Sequence, residues 1–308
     1  METGVYKDIR FMMPISFTVP FFVTSNANLD ICEITTEELS TYEGVLTSWK
    51  SVQEKSIPIT TGHFYQAMPI FNCGWLEECV NYRERTYNLN EPSFKQVTDI
   101  LRNENLALTT KDIELPEDEK FFENANKQLL YIITGGPGGY AKTLNSLKEN
   151  LDDILTLPIP NYYGNTTAKI CFYSMVLNTS NNKEAAWNFT KILLSEEIQE
   201  KISIENPIRT TGLPVMSKYI DSCINKSFDK SFIEKNYRIY DLEISSKIID
   251  DTKSLCFSYD NVYFPDFSPL TIYNHISEYL EDTLTQSNTD YESMKMELEN
   301  YLKIYLSE

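Results

Sequence analysis

Short β-branched and aromatic runs alternate with helix-patterned stretches along this chain, which confines it to α/β architectures. Ile9 to Val23 is the first such run and reads as strand. Its core, Phe11 to Val23, also has the outline of a secretory signal: Lys7 and Arg10 precede it, and Ser-Asn-Ala ending at Ala27 follows. Pro14 and Pro20 inside the run, and Glu2 and Asp8 before it, favour a pair of buried strands instead. The run is too short to span a bilayer.

Thr36 to Glu54 is helix-compatible, and Ser56 to Thr60 returns to strand. Phe94, Val97, Ile100 and Leu101 stand at helical spacing within Pro92–Leu106. A short helix is expected over Glu117–Asn126, then a strand over Gln128–Thr134. Gly135 to Gly139 breaks the chain, and helix resumes over Tyr140–Glu149. Past Leu155–Pro160 and a polar turn at Asn161–Thr167, Lys169 to Leu177 reads as a buried strand. Asn178–Asn182 is placed to cap the next helix, where Ala186, Phe189 and Leu193 share one face. Ser195, followed by Glu196 and Glu197, marks another helix start, with acids where the helix dipole favours them. Thr289-Asp-Tyr-Glu292 fits a capping box. Tyr291, Met294, Leu298, Tyr301, Leu302 and Tyr305 then form a stripe of the kind that packs into a core.

Composition narrows the function. The 308 residues carry 45 acids against 27 bases, a formal charge of −18, which excludes nucleic acid and disfavours anionic membrane surfaces. With 42% apolar residues the chain can bury a core. The 3 Trp, 20 Tyr and 16 Phe suit either packing or a cleft for polar, ring-shaped ligands. Cys32, Cys73, Cys79, Cys171, Cys223 and Cys256 show no CxxC or Cys/His spacing, so zinc and thioredoxin-type chemistry have no support and isolated thiols are expected. With only His63 and His275, a multi-histidine metal site is not expected, nor is any cofactor.

Three stretches together give the chain a family resemblance. From Leu155 to Tyr219, "LTLPIPN", "AKICFYSMVLN", "TSNNKEAAWNFTKILLSEEIQ" and "GLPVMSKYI" follow one another. The tail "ISEYLEDTLTQSNTDYESMKMELENYLKIYLSE" and the segment "ITTEELSTYEGVLTSWKSVQEKSIPI" complete the set. In order and spacing these resemble the family 1 extracellular solute-binding proteins, the sugar-capturing subunits of bacterial ABC importers. Tyr42 stands where the family has tryptophan, and Gly44 departs from the usual residue.

The resemblance implies an α/β, periplasmic-binding-protein-like fold of type II, with two lobes, a hinge and an incomplete first lobe. It divides the chain into 1–156, the opening segment of the second lobe with a crossing strand; 157–207, the remnant of the first lobe; and 208–308, the closing segment of the second lobe with the C-terminal helices. Asp8 to Pro14 already resembles the family's mid-chain crossing, so the leader and opening first-lobe segment are expected to be absent. The implied partners are a sugar or oligosaccharide and the permease subunits of an importer. The implied state is a monomer, extracellular and lipid-anchored in its full-length form.

Three places offer ligand contacts. Thr60-Thr-Gly-His-Phe-Tyr65 follows a strand, and in the family this loop reaches the cleft, which makes His63 and Tyr65 candidates against the alternative of a surface turn. The glycine-rich segment lacks the spacing of a phosphate loop; Tyr140 is the aromatic nearest the position where maltose-binding relatives stack a ring, against a plain hinge turn. Asp260-Asn-Val-Tyr-Phe-Pro-Asp-Phe267 supplies Tyr263, Asp266 and Phe267, against a loop anchored in the core. Trp49, Trp75 and Trp187 are expected in the core. Two other classes stay open: a non-transporting interaction module using an exposed sheet edge, and a glycoside hydrolase, for which 45 acids single out no pair.

Overall fold

The structure, a computed structural model, describes residues 5–6, 9–10, 12–54, 79–81, 84–89, 94–99, 102, 130–133, 137–161, 166–177, 179–205, 212–263, 276, 279 and 290–307. Strands β1 (Val5–Tyr6), β2 (Ile9–Arg10), β3 (Met12–Thr18) and β4 (Phe21–Ser25) lead into helices α1 (Asn26–Cys32) and α2 (Tyr42–Glu54). Then come β5 (Val80–Asn81), β6 (Thr86–Tyr87), β7 (Tyr131–Ile133), α3 (Pro137–Ser146), β8 (Ile154–Pro158) and β9 (Thr167–Met175). Helices α4 (Lys183–Leu193) and α5 (Glu196–Glu205) precede β10 (Leu213–Pro214), α6 (Ile220–Ser227) and α7 (Lys230–Tyr237). Finally come α8 (Ser246–Phe257), β11 (Asn261–Tyr263) and α9 (Tyr291–Tyr305). The strand expected at Ser56–Thr60 and the helix expected at Glu117–Asn126 lie outside the described residues.

The chain forms two compact units. The first comprises Met1–Ser25, Ile133–Pro158 and Thr166–Phe264. The apolar run near its start supplies two strands, but they enter different sheets. β3 lies between β9 and β10 in the order β10-β3-β9-β11, while β4 lies between β7 and β8. β3 and β9 are antiparallel, with Met12 opposite Met175 and Thr18 opposite Lys169; the register slips on either side of Ser16. Pro14 has no N–H to give the ladder, which accounts for an irregularity beginning there. All five residues of β4 are buried, the pattern of a strand covered on both faces. Helix α8 packs on β8, and α6 packs against α3, α5 and α8.

Gly212, just before β10, has φ +66°, and a Cβ there would run into the Phe17 carbonyl oxygen and the Cys171 sulfur. Only glycine satisfies both the left-handed backbone and the close approach to β3. Gln199 in α5 closes the same region. Its buried amide donates to the carbonyls of Ile15 (3.1 Å) and Leu193 (3.2 Å), and its oxygen accepts from the N–H groups of Val215 (2.9 Å) and Met216 (3.3 Å).

The second unit comprises Asn26–Ile132, Ile159–Asn165 and Pro265–Glu308. In α2, Tyr42, Val45, Leu46, Trp49 and Val52 are buried at helical spacing, so Trp49 is in the core as expected. Thr35 and Glu38 bond reciprocally ahead of it: the Thr35 N–H and hydroxyl donate to the carboxylate, and the Glu38 N–H donates to Thr35 Oγ1. At Gly44 a Cβ would collide with the Glu38 carbonyl oxygen, which explains the departure from the family residue. Residues 94–99 are helical, inside the expected segment, and bury Phe94, Val97 and Thr98. In α9, Met294, Leu298 and Leu302 are fully buried. An aromatic group gathers there, with Tyr291 at 6.3 Å from Phe94 and 6.1 Å from Tyr279, and the Arg102 guanidinium 4.5 Å from the Tyr279 ring.

Several local expectations need correction. The glycine-rich break ends earlier: α3 begins at Pro137 and takes in Gly138 and Gly139. A proline fits the first helical position, where its missing N–H has no partner to lose. The cap of α9 is Asp290, whose carboxylate accepts from Ser293 N–H at 2.8 Å, in place of the box read from Thr289. Asn182 precedes α4 without a side-chain cap bond. The strand read as buried over Lys169–Leu177 is buried only in its first half; Phe172, Met175 and Leu177 are exposed. Phe189 on the expected inner face of α4 is exposed, and so is Trp187, expected in the core. Periodicity fixed the faces, but only Thr190 of α4 is buried.

Candidate functional site

The expected ligand contacts fall on three segments. His63, Tyr65, Asp266 and Phe267 lie outside the described residues. Tyr263 closes β11, whose backbone runs parallel to β9 with Asn261 opposite Thr167, Val262 opposite Ala168 and Tyr263 opposite Lys169. The Asp260 N–H donates to the Thr166 carbonyl at 3.0 Å and sets this register. Tyr263 therefore stands at the carboxyl end of a strand running parallel to its neighbour, where open α/β sheets place their ligands. The start of the loop is braced from within: the Tyr259 ring meets Phe17 at 5.3 Å, and burial pushes its phenol up.

Tyr140 lies in the core of the first unit and is fully buried. Its ring meets Phe21 edge-on at 5.1 Å and Phe228 at 6.0 Å, and its hydroxyl bonds Thr156 Oγ1 at 2.7 Å. Burial dominates its electrostatics and pushes the phenol well above its ordinary range, with Asp251 adding to the effect. In this arrangement Tyr140 joins α3 to β4, β8 and α6. A sugar-stacking ring needs an open face.

Little in the sequence singles out Gln199. The only signal there is a polar residue one position after Ile198 on a helix with an apolar face, which many surface helices share. Its four bonds couple α5 to β3, to the end of α4 and to the turn that follows β10.

Cys171, Cys223 and Cys256 are free thiols. Burial pushes Cys171 up to about 11 and Cys223 and Cys256 up to about 12. Thiols held protonated this way are poor nucleophiles at neutral pH. Unfolded thiols ionise near pH 9 and these only near pH 12, so the unfolded state loses its protons first as pH rises. Their contribution to stability is complete below about pH 9 and is lost progressively above it. Melting temperature is expected to fall between about pH 9 and 11, with a shallower fall in the Cys223→Ala/Cys256→Ala variant; an identical slope in both proteins would contradict this. Among the described residues no cluster of three or more His, Cys, Asp or Glu is placed to hold a metal, and no helix is long and apolar enough to cross a membrane.

The sequence matches no known family model and no curated protein at a significant level. Solved structures do match. The sugar-binding protein MalE from the phytopathogen Xanthomonas citri superposes with a TM-score of 0.57 at 13% identity, over 99% of this chain and 73% of its own. An ABC substrate-binding protein from Listeria monocytogenes in complex with cycloalternan gives a TM-score of 0.54 at 15% identity, over 99% and 74%. A Streptococcus pneumoniae solute-binding protein in complex with the blood group A-trisaccharide gives 0.53 at 12% identity, over 98% and 74%. The chain therefore has the α/β, periplasmic-binding-protein-like fold that these binding proteins share.

Proposed function

We propose that this protein is the substrate-binding component of an ABC-type carbohydrate importer, holding a sugar or oligosaccharide without covalent chemistry. The observation that carries the reading is the agreement in fold with a sugar-binding protein and with solute-binding proteins in complex with oligosaccharides, over 98–99% of the chain. Binding works by closure: the ligand makes contacts in a closed state that it lacks in the open one, and that difference drives the change. On this reading residues 157–207 contribute to one lobe, and 1–156 with 208–308 to the other.

His63, Tyr65, Tyr263, Asp266 and Phe267 are the proposed ligand contacts, with aromatic faces for sugar C–H surfaces and a carboxylate and imidazole for hydroxyls. Tyr140 supports them from the core. A charge of −18 suits a receptor for neutral ligands. The protein acts outside the cell, tethered by lipid, and passes its ligand to permease subunits.

Two measurements on the full chain separate this reading from a hydrolase. Calorimetric titration with neutral oligosaccharides should show binding that weakens about tenfold or more in Tyr65→Ala and Phe267→Ala. The same glycans, incubated with wild-type protein, should release no reducing sugar. Release of reducing ends, or variants binding as wild type does, would overturn the assignment.

A further inference from the structure

Two of the buried thiols of the first unit lie on helices that pack together. Cys223 and Cys256 are both free, and each is 1% exposed. Cys223 stands at the middle of α6, on the face that buries Ile220, Ile224 and Ser227. Cys256 stands in the last turn of α8, on the face that buries Ile248, Thr252 and Leu255. Each set makes one stripe at helical spacing, and α6 packs against α8.

Helix packing brings such positions within bonding range. Axes about 8–10 Å apart, with Cα atoms about 2.3 Å from each axis, leave facing Cα atoms roughly 4–5 Å apart. A disulfide spans about 4.4–6.8 Å between its Cα atoms. The hydroxyls on the two stripes are turned back onto their own helices. Ser227 donates to the Cys223 carbonyl at 2.8 Å, and Thr252 donates to the Ile248 carbonyl at 2.8 Å. Their bonds are met without the thiols. The electrostatics single out the same pair. Among the described residues, the group that adds to the effect of burial at Cys256 is the Cys223 thiol. At Cys171, on β9, the neighbour is Lys169, which acts against burial.

We infer that Cys223 and Cys256 form a disulfide joining α6 to α8 when the chain folds under oxidising conditions, in place of the isolated thiols expected from their spacing in sequence. The bond forms by exchange with a small disulfide such as oxidised glutathione. One cysteine thiolate attacks it and expels a glutathione thiolate; the second cysteine then displaces the remaining glutathione. Two cysteine thiols are oxidised to one disulfide, the small disulfide is reduced to two thiols, and the cysteine protons pass to them. Burial keeps the oxidant from both sulfurs in the folded chain, so the exchange belongs to folding or to local opening of α8. Once closed, the bond ties together the ends of the α6–α7–α8 segment and removes freedom from the unfolded chain.

Refolding the denatured full chain in a glutathione redox buffer, then alkylating free thiols and mapping peptides, tests this. The product should be lighter by two hydrogen atoms, with Cys223 linked to Cys256 and Cys171 alkylated. It should melt several degrees above the same protein kept reduced. Its alkaline fall in melting temperature should be shallower, because the linked pair no longer ionises. Native protein held with oxidised glutathione in urea below its unfolding transition should give the same linkage more slowly, so a chain that refolds poorly is still tested. Folded protein that keeps both thiols free in the two experiments overturns the inference. So does a linkage of either cysteine to any other, or a Cys223–Cys256 bond that lowers the melting temperature. No sugar is needed, so the outcome is separate from that of the binding proposal.

Discussion

Replacing Gln199 with leucine is expected to destabilise the protein by about 3–5 kcal/mol, although the two side chains are similar in size. The loss follows from what is left behind. Without the amide, the carbonyls of Ile15 and Leu193 and the N–H groups of Val215 and Met216 lose their partner together. A buried group so stranded costs about 1–3 kcal/mol, and partial access to water for the outer bonds brings the sum to the stated range. At about 2–4 °C per kcal/mol, thermal denaturation followed by circular dichroism should show a fall of roughly 6–20 °C. Gln199→Glu should also lose stability, since a carboxylate keeps the two accepted bonds but turns an oxygen toward two carbonyls. A Gln199→Leu protein within about 1 kcal/mol of wild type would mean that the four bonds are readily replaced by water.

Tyr140 gives the second large effect and decides between two roles. Removing its ring with alanine opens a cavity between Phe21 and Phe228, at a cost of about 3–5 kcal/mol. Tyr140→Phe keeps the ring and loses only the bond to Thr156, about 0.5–1.5 kcal/mol. Both losses should appear in the absence of any sugar, and Tyr140→Phe should bind oligosaccharide with wild-type affinity. A phenylalanine variant with unchanged stability and weakened sugar binding would place the hydroxyl at the ligand instead.

Much of the fold is legible in the sequence because local patterns and tertiary packing agree. Strands β3 and β4 of the first apolar run, the first half of β9 and the stripe of Met294, Leu298 and Leu302 all stand where their pattern puts them. Sheet partnership is not legible: β3 and β4 are separated by two residues, yet they join different sheets through long-range pairings with β9 and β8. Cover is not legible either. A helical pattern says that Phe189 and Leu193 share a face, but it does not say whether anything lies over that face. The exposure of Trp187 escapes the pattern for the same reason. At helix starts the difficulty is chemical equivalence, since Asp290 beside Thr289 can also accept from a first-turn N–H, and it is the residue that does.

Of the six candidate contacts only Tyr140 and Tyr263 fall among the described residues, and sequence reading has a limit even where a side chain is described. Gln199 illustrates the limit, because its importance lies in four backbone partners, three of them distant in sequence from the helix that carries it. Tyr140 illustrates it from the other side. An aromatic following a glycine-rich turn suits a cleft or a core equally well, and only the positions of Phe21, Phe228 and Thr156 distinguish them.

Capture of a carbohydrate by this solute-binding fold is tested most directly by thermal denaturation of the full chain across a panel of neutral mono- and oligosaccharides. A ligand at about one hundred times its dissociation constant stabilises the folded state by about 2.7 kcal/mol, so at least one glycan should raise the melting temperature by several degrees, and increasingly with its concentration. A folded protein whose melting temperature is unmoved by every sugar in a broad panel would contradict carbohydrate capture.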